Sequence, residues 1–122
     1  MIVLVTGGRT YAGAGLIAKL DEINAVTPIR WLVHGGASGA DAVAHAWAMR
    51  SGVMTKPFRV SAEAWEERGK RAGPERNQEM VDFVSAQRDA GVAVVCVAAP
   101  GGAGTADCVR RARRAGIRVV KA

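Results

Sequence analysis

The chain has 122 residues, of which 49% are hydrophobic and 23% charged, a balance typical of one globular domain with its own core. The net charge of +6 favours anionic partners such as nucleotides, phosphates or nucleic acid. The longest apolar run, Val92–Pro100, is too short to span a bilayer, and the N-terminus shows no signal-peptide pattern. Two cysteines make no disulfide framework, and the two histidines are not spaced as metal ligands with them. We therefore expect a cytoplasmic protein with no metal, no cofactor and no membrane partner.

The first predicted unit is a strand followed by a loop and a helix. Ile2–Thr6 is apolar and β-branched, as in a strand covered on both faces of a parallel sheet. The loop Gly7-Gly8-Arg9 follows, and a helix is expected over Gly13–Ile23. That helix contains a loose dinucleotide-binding fingerprint, Gly13-x-Gly15-x-x-Ala18, which lies too far beyond the strand for the required geometry.

The second unit repeats this order. Ile29–His34 is the predicted strand, and residues 35–39 form a loop rich in glycine. Ser38, followed three residues later by Asp41, indicates a capping box at the start of the next helix. Asp41 and His45 lie four residues apart, so we expect them to pair on an exposed helix face.

The middle of the chain carries a weaker pattern. Val53–Val60 is predicted to be a strand near a sheet edge, because Pro57 interrupts it. Ser61–Gly73 is polar and is predicted to be an irregular loop, which Trp65 anchors by packing against the rest of the domain. Pro74 suits the first turn of a helix that runs to about Arg88.

The last predicted elements are strand four, Val92–Ala98, a helix from Ala103 to Ala115, and strand five, Ile117–Val120. A glycine-rich turn, Pro100–Thr105, joins strand four to its helix. The unpartnered N–H groups at the start of that helix form a site suited to phosphate. The basic cluster at 110–114 is predicted to be the solvated face of the helix.

Five strands alternating with four helices predict a Rossmann-like α/β three-layer sandwich, with about five parallel strands and helices on both faces. Ligands of such folds bind beyond the carboxyl ends of the strands, near the switch in strand order. The loops after strands one, two and four should meet there, and all three are rich in glycine. Their convergence predicts a ligand site.

Four motifs occur in an order that resembles the small, YspA-like branch of the SLOG superfamily of bacteria and their phages. They are Gly7-Gly8-Arg9-x-Tyr11, His34-Gly35-Gly36-Ala37-x-Gly39-Ala40-Asp41, Trp65-x-x-x-Gly69-Lys70-x-Ala72-Gly73-Pro74-x-Arg76-Asn77-x-x-Met80 and Pro100-Gly101-Gly102-x-Gly104-Thr105. The resemblance spans nearly the whole chain. It implies a Rossmann-like fold that binds nucleotides or nucleotide-derived ligands, and a homodimer. The superfamily includes Lonely Guy phosphoribohydrolases, the DNA-uptake protein DprA and ligand-sensing domains of antiphage systems.

The Lonely Guy enzymes use an Arg-Lys-x-x-Met motif and a Glu three residues beyond the Thr of the last motif. In this sequence Arg76 is kept, Asn77 replaces the Lys, and Cys108 occupies the Glu position. Cleavage of an N-glycosidic bond builds positive charge on the ribose, which a carboxylate stabilises and a neutral thiol does not. Asp107 lies about 100° around the helix from that position and is not a simple replacement. We expect Cys108 to be buried and structural.

The leading hypothesis is a nucleotide-binding protein that senses or sequesters its ligand. Phosphate would be held by backbone N–H groups of 101–105 and 35–39, with charge-assisted contacts from Arg9 and Arg76. Asp41 either caps its helix or accepts a ribose hydroxyl. Lys70 is either a ligand contact or a solvated loop residue, and Asn77 is a ligand contact, a helix cap or a surface group. The candidate ligand-binding residues are Gly7, Gly8, Arg9, Gly35, Gly36, Ser38, Gly39, Asp41, Lys70, Arg76, Asn77, Pro100, Gly101, Gly102, Gly104 and Thr105.

Two other classes stay open. The first is an enzyme, a nucleoside 5′-monophosphate phosphoribohydrolase or NAD-type N-glycohydrolase, whose carboxylate would be Asp41, Glu75, Glu79 or Asp107, with Arg76 as a further catalytic candidate. The second is DprA-like nucleic-acid binding, which the positive charge permits and which predicts affinity that falls steeply with salt. The sequence contains no base-reading motif for it.

Overall fold

A computed structural model describes all residues, 1–122, as one five-stranded sheet flanked by helices. The strands are β1 (Ile2–Thr6), β2 (Trp31–His34), β3 (Met54–Pro57), β4 (Val94–Ala98) and β5 (Val119–Lys121). The helices are α1 (Gly15–Val26), α2 (Ala40–Ser51), α3 (Ala62–Arg68), α4 (Ala72–Asp89) and α5 (Ala103–Arg114), with a 3-10 turn at Gly69–Arg71. No helix is both long enough and apolar enough to cross a bilayer.

The strand order is β3-β2-β1-β4-β5 and every pairing is parallel, which confirms the predicted Rossmann-like α/β fold. β3 is an edge strand, as Pro57 predicted. The order of the strands reverses between β1 and β4, so the loops that follow these two strands leave in opposite directions. A crevice opens between such loops at the carboxyl edge of the sheet.

Strand alternation sends side chains into two separate cores. Val3 and Val5 of β1 pack with α1 and α2 on one face, whereas Ile2 and Leu4 pack with α4 and α5 on the other. Trp47 of α2 is the largest buried side chain, and its indole N–H donates to Asp21 of α1 at 2.8 Å. Both faces of the central strand are therefore covered, which explains its continuous apolar sequence.

The prediction of an irregular segment at 61–73 was wrong. The hydroxyl of Ser61 accepts the N–H of Ala64 at 3.0 Å and caps a seven-residue helix, α3. The 3-10 turn leads directly from α3 into α4. None of the side chains of α3 is buried, so its sequence lacks the apolar stripe that marks a helix packed on a core.

Several predicted boundaries also shift. α1 begins at Gly15 rather than Gly13, because the hydroxyl of Tyr11 accepts the N–H of Leu16 at 2.9 Å. α4 begins at Ala72, so Pro74 is its third residue and lies in the first turn, as predicted. Proline is tolerated there because the N–H groups of the first turn have no intrahelical acceptor. β1 has its predicted bounds, and β3 is shorter than predicted at both ends. β2, β4 and β5 each begin two residues later than predicted, and β5 ends one residue later.

Candidate functional site

A cleft of about 660 Å³ opens at the carboxyl edge of the sheet, where the strand order reverses. Its floor is the end of β1, and its walls come from α4, α5 and the 3-10 turn. Its lining includes twelve residues that the sequence argument names: Gly7, Gly8, Arg9, Asp41, Trp65, Lys70, Arg76, Asn77, Gly102, Gly104, Thr105 and Asp107. A cleft of this volume is the usual size for a small-molecule site.

The loops after β1, β2 and β4 meet at the backbone of Gly8. Its N–H donates to the carbonyl of Pro100 at 2.8 Å, and its own carbonyl accepts the N–H of Ala40 at 3.0 Å. The hydroxyl of Ser38 donates to the carbonyl of Arg9 at 3.0 Å and adds a further link. The predicted convergence of the three loops is therefore present in the structure.

The glycines of these loops serve two different purposes. A Cβ on Gly39 would lie 2.5 Å from the Arg9 carbonyl carbon, and one on Gly101 would lie 2.7 Å from the Gly8 nitrogen. These glycines are required because one backbone approaches another closely. Gly102 and Gly104 differ, because a Cβ on either would meet no atom within 4 Å. They face the open cleft.

Three N–H groups of the β2 loop, those of residues 35–37, donate to side chains of the protein. Asp41 Oδ2 accepts the N–H groups of Gly35 at 3.1 Å and Ala37 at 3.2 Å, and His34 Nδ1 accepts that of Gly36 at 2.9 Å. The predicted Ser38–Asp41 capping box was therefore wrong, and α2 has no side-chain cap. These three amides are not available to a ligand in this structure.

The amides at the start of α5 are free. The first hydrogen bond of this helix runs from the N–H of Ala106 to the carbonyl of Gly102 at 3.0 Å. The N–H groups of residues 102–105 therefore have no protein acceptor, and they carry the positive end of the dipole of a twelve-residue helix. Gly102, Gly104 and Thr105 line the cleft, so an anion in it can reach these donors.

Asp41 is a buried carboxyl, 7% exposed, at the inner side of the cleft. Burial raises its pKa above the usual value, although the N–H of Ala37 and the positive charge of Arg76 act in the opposite direction. The predicted surface pair with His45 was wrong. Asp41 turns toward the β2 loop because that loop has N–H groups without other acceptors.

His45 instead pairs with His34, whose side chain is buried. Because His34 Nδ1 accepts the Gly36 N–H, a neutral His34 ring carries its proton on Nε2, which donates to His45 Nδ1 at 3.0 Å. Burial, the largest cause, acts together with the neighbouring His45, Arg59 and Arg76 to lower the pKa of His34 to about 4. The ring therefore stays neutral near pH 7 and supports the β2 loop.

Asn77 connects three parts of the site, and only 5% of it is exposed. Its amide nitrogen donates to the carbonyl of Gly104 at 3.2 Å and to Asp107 Oδ2 at 3.0 Å, and its oxygen accepts Arg76 Nε at 3.1 Å. Arg76 Nη1 also donates to the carbonyl of Gly35 at 2.6 Å. Asn77 thus orients Arg76 and the start of α5, a role that the alternatives considered from sequence did not include.

Asp107 presents an ionised carboxylate at the edge of the cleft. Burial by itself would raise its pKa, but the hydrogen bonds from Arg111, at 2.9 Å, and from Asn77 outweigh that effect. The nearby charge of Arg110 lowers the pKa of Asp107 further. Cys108, the next residue, is fully buried, and burial raises its pKa to about 11. The thiol is neutral and structural, as the sequence predicted.

Comparison with known proteins identifies the family. The sequence profile of YAcAr, the YspA, cpYpsA-related SLOG family, matches residues 1–65, just over half of the chain. The chain belongs to this SLOG family. The Gene 61 protein of Mycobacterium phage D29 is 40% identical to it over 126 aligned positions, which cover 97% of this SLOG chain and 93% of that relative.

The remaining predicted site residues of this SLOG protein lie around the cleft rather than in it. Gly35, Gly36 and Ser38 line a neighbouring pocket, and Pro100 and Gly101 line a third one beside α5. Gly39 packs against the β1 loop. Of the carboxylate candidates, Glu75 pairs with Arg68 and Glu79 is exposed outside the cleft. Asp41 and Asp107 therefore remain.

Arg59 and Arg110 were not predicted from the sequence as site residues, and Trp65 was given only a structural role. Arg110 lines the cleft because it follows Asp107 by three residues on α5, a helical spacing that could have indicated it. Trp65 and Arg59 border the pocket next to the cleft. The path of the backbone through residues 58–73 brings both side chains close to the β1 and β2 loops. No local sequence pattern predicts that path.

The two purposes of the glycines predict opposite effects of alanine. Gly101→Ala should lower the free energy of unfolding by about 1–3 kcal/mol, because the backbone of Gly8 must move to admit the methyl group. Gly104→Ala should leave it unchanged or raise it by up to about 1 kcal/mol, because alanine is the better helix former and meets no atom. Urea denaturation measures both, and equal effects of the two substitutions would contradict the assignment.

The neutral His34 ring predicts a specific pH dependence. The pKa of His34 in the folded state, about 4, is below its unfolded value of about 6.5. The unfolded state alone therefore takes up the proton between these values, so the contribution of His34 to stability is present above pH 6.5 and is lost as the pH falls toward 4. Nuclear magnetic resonance should show no titration of the His34 ring above pH 5. Between pH 7 and pH 4.5 the free energy of unfolding should fall less for His34→Gln than for the wild type. An equal fall for the two proteins would contradict this account.

Proposed function

We propose that this protein binds a nucleotide or nucleotide-derived molecule, with a phosphate seated on the N-terminus of α5. The observation that carries the proposal is the set of free N–H groups of residues 102–105, which open onto a 660 Å³ cleft. Membership of the SLOG family supports a nucleotide-related ligand. The glycines at 102 and 104 keep the helix end clear of side chains, so an anion can approach the amides directly.

Arg76 is the side chain best placed to add charge to this anion site. Its Nε and Nη1 are held by Asn77 and by the carbonyl of Gly35, and it forms no ion pair with a carboxylate. A guanidinium fixed in this way loses little freedom on binding and keeps N–H donors for a phosphate oxygen. Lys70 and Arg9 border the same cleft and are likewise free of carboxylate partners.

The rest of the ligand would occupy the wider part of the cleft. Trp65, 39% exposed, offers an aromatic face to a base, and Pro74 and Met80 add apolar surface. Asp41 would accept a ribose hydroxyl. We assign the protein a sensing or sequestering role, because Cys108 replaces the carboxylate of the Lonely Guy enzymes. A homodimer and a cytoplasmic location remain predictions from the sequence.

Binding should depend strongly on Arg76. Purified protein mixed at stoichiometric concentration with AMP, NAD, ADP-ribose and cyclic mononucleotides should deplete at least one compound, which denaturation then releases unchanged. Arg76→Ala should weaken that binding about tenfold or more, because a charge-assisted hydrogen bond is lost. The matched control is Arg114→Ala, on the exposed last turn of α5, which should bind as the wild type does. Calorimetry gives both affinities, and equal effects of the two substitutions would contradict the proposal.

A second candidate function is hydrolysis of an N-glycosidic bond. It is favoured by the two carboxyls of the cleft, because Asp107 has a lowered pKa and Asp41 a raised one. Opposite shifts in one site are the pattern by which one carboxylate stabilises positive charge while the other holds a proton. Here Asp107 would stabilise the positive charge that develops on the ribose, and Asp41 would protonate the leaving base as the C1′–N bond breaks. Water would form the new C1′–O bond and return its proton to Asp41.

Product analysis separates the two functions. Under the enzyme hypothesis, the same incubation would release free base and ribose phosphate, or nicotinamide from NAD. Asp107→Asn should then reduce turnover at least a hundredfold, since the amide supplies no negative charge. Glu79→Gln, on the exposed face of α4, is the control that should turn over normally. Recovery of every compound intact would exclude the enzyme and leave the binding function.

A further inference from the structure

A second pocket, of about 370 Å³, lies beside the cleft. Its lining is the β2 loop, residues 35–38, together with Arg59 and Val60 from the segment after β3. Arg9, Trp65 and Arg76 line both spaces and form the boundary between them. A molecule in the cleft could therefore extend past these side chains into the second pocket.

The charge of this pocket is positive and is not balanced locally. Three arginines, Arg9, Arg59 and Arg76, line it with no acidic side chain, and none of them forms an ion pair. Elsewhere in the chain, Arg68 and Arg111 do pair with carboxylates. Like charges placed together repel one another, and an anion between them removes that repulsion.

The nearby carboxyl, Asp41, forms no ion pair with this cluster. The positive charges of Arg76 and Arg9 act on it at longer range, and its Oδ2 accepts two backbone N–H groups. No carboxylate therefore lies within ion-pair distance of the guanidinium groups that line the pocket.

Backbone carbonyls hold two of the three guanidinium groups in place. Arg59 Nη1 donates to the carbonyl of Gly36 at 3.3 Å, and Arg76 Nη1 donates to that of Gly35 at 2.6 Å. Each guanidinium has five N–H donors, so most of them remain available. The N–H groups of Gly35, Gly36 and Ala37 donate to Asp41 and His34, which leaves the arginines as the charged anion donors of the pocket.

We propose that the pocket formed by Arg9, Arg59 and Arg76 is a second anion site, and that the natural ligand is a nucleotide carrying two phosphate groups. One phosphate binds the amides at the start of α5, and the other binds the guanidinium groups across the boundary. The identity of the ligand class rests on the proposed function, whereas the second anion site can be tested by itself. Arg59 is the residue specific to it, because Arg9 and Arg76 also line the cleft.

The first experiment uses inorganic phosphate alone. Titration followed by amide nuclear magnetic resonance should shift two groups of resonances, residues 102–105 and residues 35–38, with separate saturation curves. Arg59→Ala should weaken the phosphate affinity reported by the resonances of residues 35–38 about tenfold or more. The affinity reported by residues 102–105 should be unchanged. Arg59 is exposed, so the substitution should not disturb the core. Arg114→Ala is the control and should alter neither group.

The second experiment compares AMP, which has one phosphate, with ADP and adenosine 3′,5′-bisphosphate, which have two. At least one of the two-phosphate ligands should bind the wild type about tenfold more tightly than AMP does by calorimetry. Arg59→Ala should remove this advantage and leave the affinity for AMP unchanged. Arg59→Lys should retain part of it, because the charge remains while the forked donors are lost.

The outcomes separate this inference from the function on which it rests. Absence of shifts at residues 35–38, or shifts that Arg59→Ala leaves unchanged, would overturn the second anion site even if AMP binds well. Absence of shifts at 102–105 together with no binding of any nucleotide would overturn the proposed function instead. Phosphate shifts at 35–38 that depend on Arg59 would then still support the second anion site.

Discussion

The close approach of three loops at Gly8 is the constraint on which the site depends. The N–H of Gly8 donates to the loop after β4, and its carbonyl accepts the first amide of α2. Neighbouring glycines permit this contact, because a Cβ at Gly39 or Gly101 would overlap the backbone of the β1 loop. The junction brings the start of α5 beside the end of β1, and it thereby opens the cleft between them.

The polar groups around this junction divide into those that support the loops and those that remain available. His34 Nδ1 and Asp41 Oδ2 accept the N–H groups of residues 35–37, so these two atoms are used within the protein. Both ends of the Asn77 side-chain amide are also used within the protein. Its oxygen accepts from Arg76, and its nitrogen donates to Asp107 and to the carbonyl of Gly104. The groups left over are the amides of α5 and the unpaired arginines, and both kinds bind anions.

Much of the architecture could be predicted because the relevant signals are local. The apolar β-branched run of β1, the glycines after three strands and Pro57 at an edge each reflect a nearby physical requirement. Ser61 was also a local signal, since its hydroxyl caps α3, but the polar helix that follows lacks the apolar stripe that would have revealed it. The error there came from reading polarity as irregularity.

By itself, the sequence determined the fold class, the three glycine-rich loops, the burial of Cys108 and the family to which the chain belongs. These features depend on residue type and short-range spacing. Only the tertiary structure decided which amides are free, because Asp41 reaches back to loop 35–37 instead of pairing with His45. It also decided that Arg59, seventeen residues before Arg76 in the chain, lines the same pocket. Such pairings depend on the path of the backbone between the residues, which spacing along the chain does not specify.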